Sequence, residues 1–447
     1  MKHLSMSAAA IISAALLSGC QSDPQELLGY SANQLCSRHF ISNEPIEFIT
    51  QNVIPEALAA LPDRPEIGVD TKLKTVSVSA QVDGTIMKRT SVFRPGLGCT
   101  LLFDMTPEQL HAQIKHVNLP VLTPSTPLEQ AIRQDVSLDD FFAHNSGNYA
   151  HSDNTFAVAV MYQGRLVAEH YDEHHDGDTR MLSWSMAKTL TGLMTGILVQ
   201  QGKLTLDQEV MAGSHSMTIA NLMHMSSGIK WSETADIHGY QDLAPMWYHT
   251  PDSVQYVTQL PNEYEPGSRF EYSTGTTQLL SDALKTASGG DLQPLLNLYH
   301  DGLFKPLGIN NAIAEYDEAG NLRGGARMFL SVHDWLKIGQ LFIEQGSWQG
   351  QQVVPRNWVV DVMMSPGVAK HYGGQLWLND MGWLMPKLPK DTVSLRGHRG
   401  QYVVIIPSKQ LVVARFGAYG SAVNKHIGLA NRRVFQSVVD LIEQLEK

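Results

Sequence analysis

Cysteine is scarce in this chain. Its 447 residues include three, and none stands beside a histidine in a metal-ligand pattern, which excludes a cysteine-bound metal cluster. Positive charge is also in deficit. Lysine and arginine total 33 against 44 aspartates and glutamates, for a net charge of −11 without long single-sign runs. Such a balance offers no basic surface to nucleic acid. The apolar run from Leu4 to Leu17 is too short to span a bilayer. No tandem repeat of fixed period and no low-complexity tract is present. Neither Gly-x-Ser-x-Gly nor His-Glu-x-x-His occurs, which removes the α/β-hydrolase nucleophile turn and the common zinc-protease helix. The segment holding His170, Asp172, His174, His175, Asp176 and Asp178 reads as a polar loop after a strand, not a metal site. With 43% apolar residues the chain can bury a sizeable core, and its length suits two or three domains.

The N-terminus carries an address. Lys2 precedes the apolar run, which has the length of a signal-peptide core. The run ends in Leu17-Ser18-Gly19-Cys20, which resembles the lipobox of bacterial lipoproteins, followed by Gln21. The resemblance implies that residues 1–19 are removed and Cys20 is lipidated. Gln21, where an aspartate would retain such a protein at the inner membrane, implies outer-membrane anchoring with the body in the periplasm. A lipidated Cys20 leaves Cys36 and Cys99 as the one available pair. The expectation is a disulfide in an oxidising compartment.

Residues 20–127 differ in texture from the rest of the chain and are expected to form a small α+β accessory region, leaving by a Pro/Thr-rich linker from Pro120 to Pro127. Residues 128–447 form the main domain. Thr155 to Met161 and Leu166 to Tyr171 flank Gln163-Gly164 and predict a β-hairpin. Residues 205–320 are mostly helix and loop. Two further strands come later, Tyr402–Ile406 and Leu411–Phe416, and then a helix whose apolar face is Ile427, Val434, Val438, Leu441 and Leu445. The fold class is α+β: a central antiparallel sheet flanked by N- and C-terminal helices, with a mostly helical subdomain inserted.

Three elements carry chemistry. Ser185 stands three residues before Lys188, and Leu190, Leu193, Met194, Ile197 and Leu198 then recur at helical spacing until Gly202. The lysine amine therefore reaches the serine hydroxyl, and a helix N-terminus offers free N–H groups to a developing oxyanion. A second copy, Ser227 with Lys230, is interrupted by Gly228 and reads as a turn. Tyr272 lies in Glu271-Tyr272-Ser273-Thr274 after a Pro-Gly turn; a phenol beside an ammonium loses its proton more readily and can shuttle it. Arg396-Gly397-His398-Arg399-Gly400-Gln401 leads into a strand. Its glycines would let a substrate approach, and His398 would donate to a substrate carbonyl or carboxylate.

Together these elements resemble the serine β-lactamase and penicillin-binding protein superfamily, in its class C β-lactamase-like branch. The resemblance covers roughly residues 130–447 and includes Gly202 to Asp207, Thr218 to Gly228 and Gly324 to Arg327. Trp184, Gly339 to Trp348, Tyr372 to Trp377 and Gly400-Gln401 are most similar to 6-aminohexanoate-dimer hydrolases and related esterases. It implies Ser185 as the acylated nucleophile, Lys188 as its base and Tyr272 as proton shuttle. The N–H groups of Ser185 and Gln401 would form the oxyanion hole, with Thr274, His398 and Gly400 binding substrate. No cofactor or metal is implied. Thr274 stands where β-lactamases have asparagine and His398 where they have lysine, which turns the expectation from β-lactams to esters or linear amides. A β-lactamase, a D-amino-acid peptidase and a non-hydrolytic peptidoglycan-binding or regulatory lipoprotein are the alternatives.

Overall fold

The computed structural model describes residues 23–213, 215–233, 242–382 and 384–447. The leader at 1–19 and the attachment point Cys20 lie outside the described residues. No helix among the described residues is long and apolar enough to cross a membrane.

Continuous apolar runs, instead of alternating ones, build the main sheet. Strands β5 (Thr155–Tyr162), β6 (Arg165–Tyr171), β7 (Trp377–Leu378), β8 (Val393–Gly397), β9 (Gln401–Ile406) and β10 (Leu411–Gly417) pair antiparallel in the order β7-β8-β9-β10-β5-β6. Both faces are covered, so successive residues enter opposite cores. Ala157, Ala159, Val403 and Val412 pack with the helix Val332–Ile343, whereas Val158, Val160, Val404 and Val413 pack with the helix Ile427–Leu445. Positive φ at Gln163 and Gly164 supports the tight β5–β6 turn that the sequence predicts. Ile427 departs from its assigned apolar face. It is 38% exposed at the first position of its helix, before the packed turns begin.

The accessory region has its own antiparallel sheet, β1 (Glu66–Asp70), β2 (Thr75–Val82), β3 (Thr85–Arg94) and β4 (Gly98–Leu101), in sequential order. Helix α1 (Pro24–Phe40) packs on it, and a disulfide from Cys36 to Cys99 ties α1 to β4. This region shares one continuous apolar core with the main domain. Buried polar groups join the two as well: Glu315 accepts from Ser37 Oγ at 2.5 Å, from the Cys99 N–H at 3.0 Å and from Arg327 Nε at 2.7 Å.

Two expectations change. The Pro/Thr-rich stretch is not a free linker: the N–H of Thr126 donates to Gly308 O at 2.8 Å and Ser125 Oγ donates to Asp334 at 3.1 Å. The polar loop after β6 is a structural bridge. His175 contacts Asp172 at 2.6 Å and Glu44 at 3.2 Å, and Glu44 pairs with Arg38 of α1. Burial alone would lower the pKa of His175, but these carboxylates outweigh it and lift it to about 9.

Candidate active site

The turn that carries Ser185 is built under strain. Trp184–Met186 form a single 3-10 turn ahead of helix α2 (Ala187–Gln200), and Trp184 has φ 46°, a left-handed conformation unusual for a bulky residue. Its indole is held from two sides, with the His398 ring at 5.1 Å and the Arg327 guanidinium at 6.0 Å. Ser185 is thereby presented to a cavity of about 1100 Å³.

Lys188 is buried one helical turn on. Its Nζ donates to Ser185 Oγ at 3.1 Å, to Thr274 Oγ1 at 2.8 Å and to the Gly325 carbonyl at 2.9 Å. A Cβ on Gly325 would stand 2.8 Å from Thr274 Cγ2, so glycine keeps these acceptors close around the amine. Burial lowers the Lys188 pKa to about 8, with Glu233 opposing the shift. A substantial share of the amine is therefore neutral near physiological pH, when it can accept the serine proton.

Thr274 opens helix α3 (Thr274–Ser288). Its hydroxyl donates to Glu233 Oε1 at 2.5 Å while accepting from Lys188, and its N–H donates to Glu233 Oε2 at 2.8 Å. The same carboxylate accepts from Trp231 Nε1 at 2.6 Å. The hydroxyl proton is thus committed, and Thr274 cannot offer it to a substrate carbonyl. It lines the cavity but works by holding the lysine. Glu233 was not recognised from sequence: it comes after the second Ser-x-x-Lys copy in a loop, and no periodicity marks it.

Tyr272 lines the same cavity as Ser185 and stacks on Trp377 at 5.2 Å; its ring lies 5.0 Å from Lys188 Nζ. Its pKa moves opposite to expectation. Burial and then the Glu233 charge raise it, outweighing the opposing influence of the Ser185 hydroxyl and of Arg396. At rest Tyr272 is a neutral phenol and a proton donor.

The third wall is the end of β8. A Cβ on Gly397 would stand 2.4 Å from the Ser183 carbonyl, so the glycine lets the strand close on the nucleophile turn. Gly397 and His398 line the cavity, whereas Gly400 and Gln401 do not. Gly400, with φ 91°, answers a different demand: a Cβ there would strike Arg415 and the Tyr419 ring behind the turn. The Gln401 side chain is buried, donating to the carbonyls of His398 and Gly417 at 3.0 and 2.7 Å. Burial pushes the His398 pKa down to about 4, leaving a neutral imidazole. The accessory region also reaches the cavity, through Tyr30 of α1.

A serine within hydrogen-bond reach of a buried lysine, a tyrosine beside them and the end of a sheet strand thus line one cavity. The beta-lactamase family model matches residues 150–418, and the chain belongs to that family. It is 22% identical over 262 residues to the 6-aminohexanoate-dimer hydrolase of Paenarthrobacter ureafaciens, covering 54% of this chain and 64% of that protein, less than two thirds of its length. Among solved structures, the "Putative 6-aminohexanoate-dimer hydrolase from Bacillus anthracis" superposes with a TM-score of 0.58 at 19% identity, over 77% of this chain and 95% of that one. FmtA from Staphylococcus aureus gives 0.51 at 14% identity, over 75% and 95%. The fold is that of β-lactamases and transpeptidases.

Proposed function

We propose that the protein is a serine hydrolase that cleaves esters or linear amides through an acyl-enzyme on Ser185. The observation that carries this reading is the 3.1 Å contact between Ser185 Oγ and a lysine amine whose pKa is lowered to about 8. In the first half-reaction the neutral amine takes the hydroxyl proton as Oγ attacks the acyl carbon. The N–H groups of Ser185 and of His398, the first residue of the β8–β9 turn and one of two there that line the cavity, are the donors for the oxyanion. Tyr272 gives its phenolic proton to the leaving oxygen or nitrogen, and the Lys188 ammonium then restores it. In the second half-reaction water attacks the acyl carbon and loses a proton to the neutral Lys188 amine, and the ammonium so formed returns that proton to Ser185 Oγ as the acyl–Oγ bond breaks.

The similarity to a 6-aminohexanoate-dimer hydrolase supports a linear amide as the first substrate to try. The lipobox-like signature before Gln21 supports attachment to the bacterial outer membrane, with the enzyme facing the periplasm. A fluorophosphonate should add its mass to the Ser185 peptide and leave the Ser185→Ala protein unlabelled. Absence of any adduct, with fluorophosphonates and activated esters alike, would favour the non-hydrolytic binding role.

A further inference from the structure

Tyr30 lines the cavity from outside the part of the chain that matches the family. It lies on α1 of the accessory region, whereas the family match starts at residue 150. A second element comes with it. The short helix Leu243–Tyr248 supplies Leu243, Ala244, Trp247 and Tyr248 to the same cavity, and the accessory region holds that helix in place. Arg89 of β3 donates to the Tyr248 carbonyl at 3.1 Å and to Gln25 of α1 at 3.2 Å. A Cβ on Gly29 would stand 3.3 Å from Tyr248 Cβ, so the glycine lets α1 close on the helix.

The residues that α1 and this helix bring to the cavity carry no charge. Their rings stand nearly at right angles, Tyr30 to Tyr248 at 88° with centroids 6.1 Å apart and Trp247 to Tyr248 at 84° and 6.4 Å. Rings set this way present both a negative π face and a positive edge, the two surfaces against which a further ring packs. Trp247 and Tyr248 are buried, whereas Tyr30 is half-buried and keeps open surface. An aryl group gains by leaving water at such a wall. A charged group would lose hydration there and meet no counter-charge on these residues.

We propose that Tyr30, Trp247 and Tyr248 form an aryl-binding subsite, so that the substrates are esters or amides carrying an aromatic ring, with Tyr30 a specificity-determining residue supplied by the accessory region. The proposal rests on the Ser185 hydrolase reading for its consequence in turnover, but not for binding itself.

The test compares four esters by pH-stat: methyl butyrate, which has no ring, methyl 4-phenylbutyrate, with its ring on the acyl side, benzyl butyrate, with its ring on the leaving group, and methyl 4-cyclohexylbutyrate, apolar without being aromatic. At least one aryl ester should exceed methyl butyrate in kcat/KM by about 10-fold or more, as for burial of a phenyl group. Tyr30→Ala should reduce that aryl-to-methyl ratio by about 5-fold, as for loss of an aromatic pair, and Tyr30→Phe, which keeps the ring, should preserve it. The cyclohexyl-to-methyl ratio should fall less in Tyr30→Ala than the aryl ratio does. Calorimetry on the Ser185→Ala protein gives a turnover-free arm: 4-phenylbutyramide or N-benzylbutyramide should bind more tightly than butyramide, and adding Tyr30→Ala should remove the difference. An aryl-to-methyl ratio unmoved by Tyr30→Ala would overturn the subsite, as would aryl amides that bind no better than butyramide. An equal fall for the phenyl and cyclohexyl esters would overturn its aromatic selectivity. If no ester is turned over while an aryl amide binds through Tyr30, the hydrolase reading fails and the subsite stands.

Discussion

Glu233→Gln tests the electrostatics of the lysine directly. The carboxylate touches Thr274 twice, through the hydroxyl and the N–H, and Thr274 accepts from Lys188 Nζ. Links of 2.8 and 2.5 Å keep Nζ and Oε1 within about 5 Å of one another. At an effective dielectric of roughly 20, opposite charges at that distance attract by about 3 kcal/mol, and screening at a half-buried glutamate trims this. The attraction favours the ammonium, so its removal lowers the Lys188 pKa. The acid limb of the kcat/KM profile, expected near pH 8 for the native protein from the lysine value, should move down by about one unit. The rate changes in the other direction. An amide cannot accept from Thr274 N–H, Trp231 Nε1 and Thr274 Oγ1 at once, so the plateau should fall roughly 10- to 100-fold, as expected for lost hydrogen bonds to a charged group. Stopped-flow acylation from pH 5 to 10, in steps of about half a unit around the limb, reads both effects. An unmoved limb together with a native plateau would refute the relay from Glu233 through Thr274 to Lys188.

Two further perturbations probe the scaffold. Cys36→Ser, or reduction of the native protein, opens a bridge spanning 63 residues in sequence and should cost roughly 4 kcal/mol in the chain-entropy model; a thermal melt insensitive to reductant contradicts this. Gly397→Ala places a Cβ 2.4 Å from the Ser183 carbonyl, beside the nucleophile turn. Acylation should fall by about 100-fold, as for a small misplacement of a reacting group, and native acylation kinetics would show that the strand need not close on that turn.

What the sequence disclosed was local. Apolar spacing after Ser185 located its helix, Gln163-Gly164 located a hairpin, and unbroken apolar runs located strands buried on both faces. Long-range features stayed hidden. Arg396 read as part of a glycine-rich turn because its stacking depends on Phe435 and Trp377, distant in sequence. The direction of the Tyr272 shift was missed because the lysine was visible in the motif, whereas the burial and Glu233 that outweigh it were not. Proline and threonine made residues 120–127 look like a linker, since composition cannot reveal hydrogen bonds to residues near 308 and 334.

The accessory region is part of the same hidden layer, and it bears on the active site by contact. Arg399, next to His398 and held at φ 60°, donates to the carbonyl of Val53 and, at 3.0 Å, to that of Tyr419. Tyr149 donates to the same Val53 carbonyl at 3.1 Å. One backbone acceptor from the accessory region thus fixes the turn that carries the third wall of the cavity. Tyr30 meets Tyr248 edge to face at 6.1 Å, and both line the cavity. Removing residues 20–127 would strip a partner from Arg399 and a ring from the cavity, and would expose apolar surface now in a shared core. The pairing of Ser185 with Lys188 is set within one helical turn, Thr274, Gly325 and Glu233 complete it from other elements, and the cavity around it is built by both regions together.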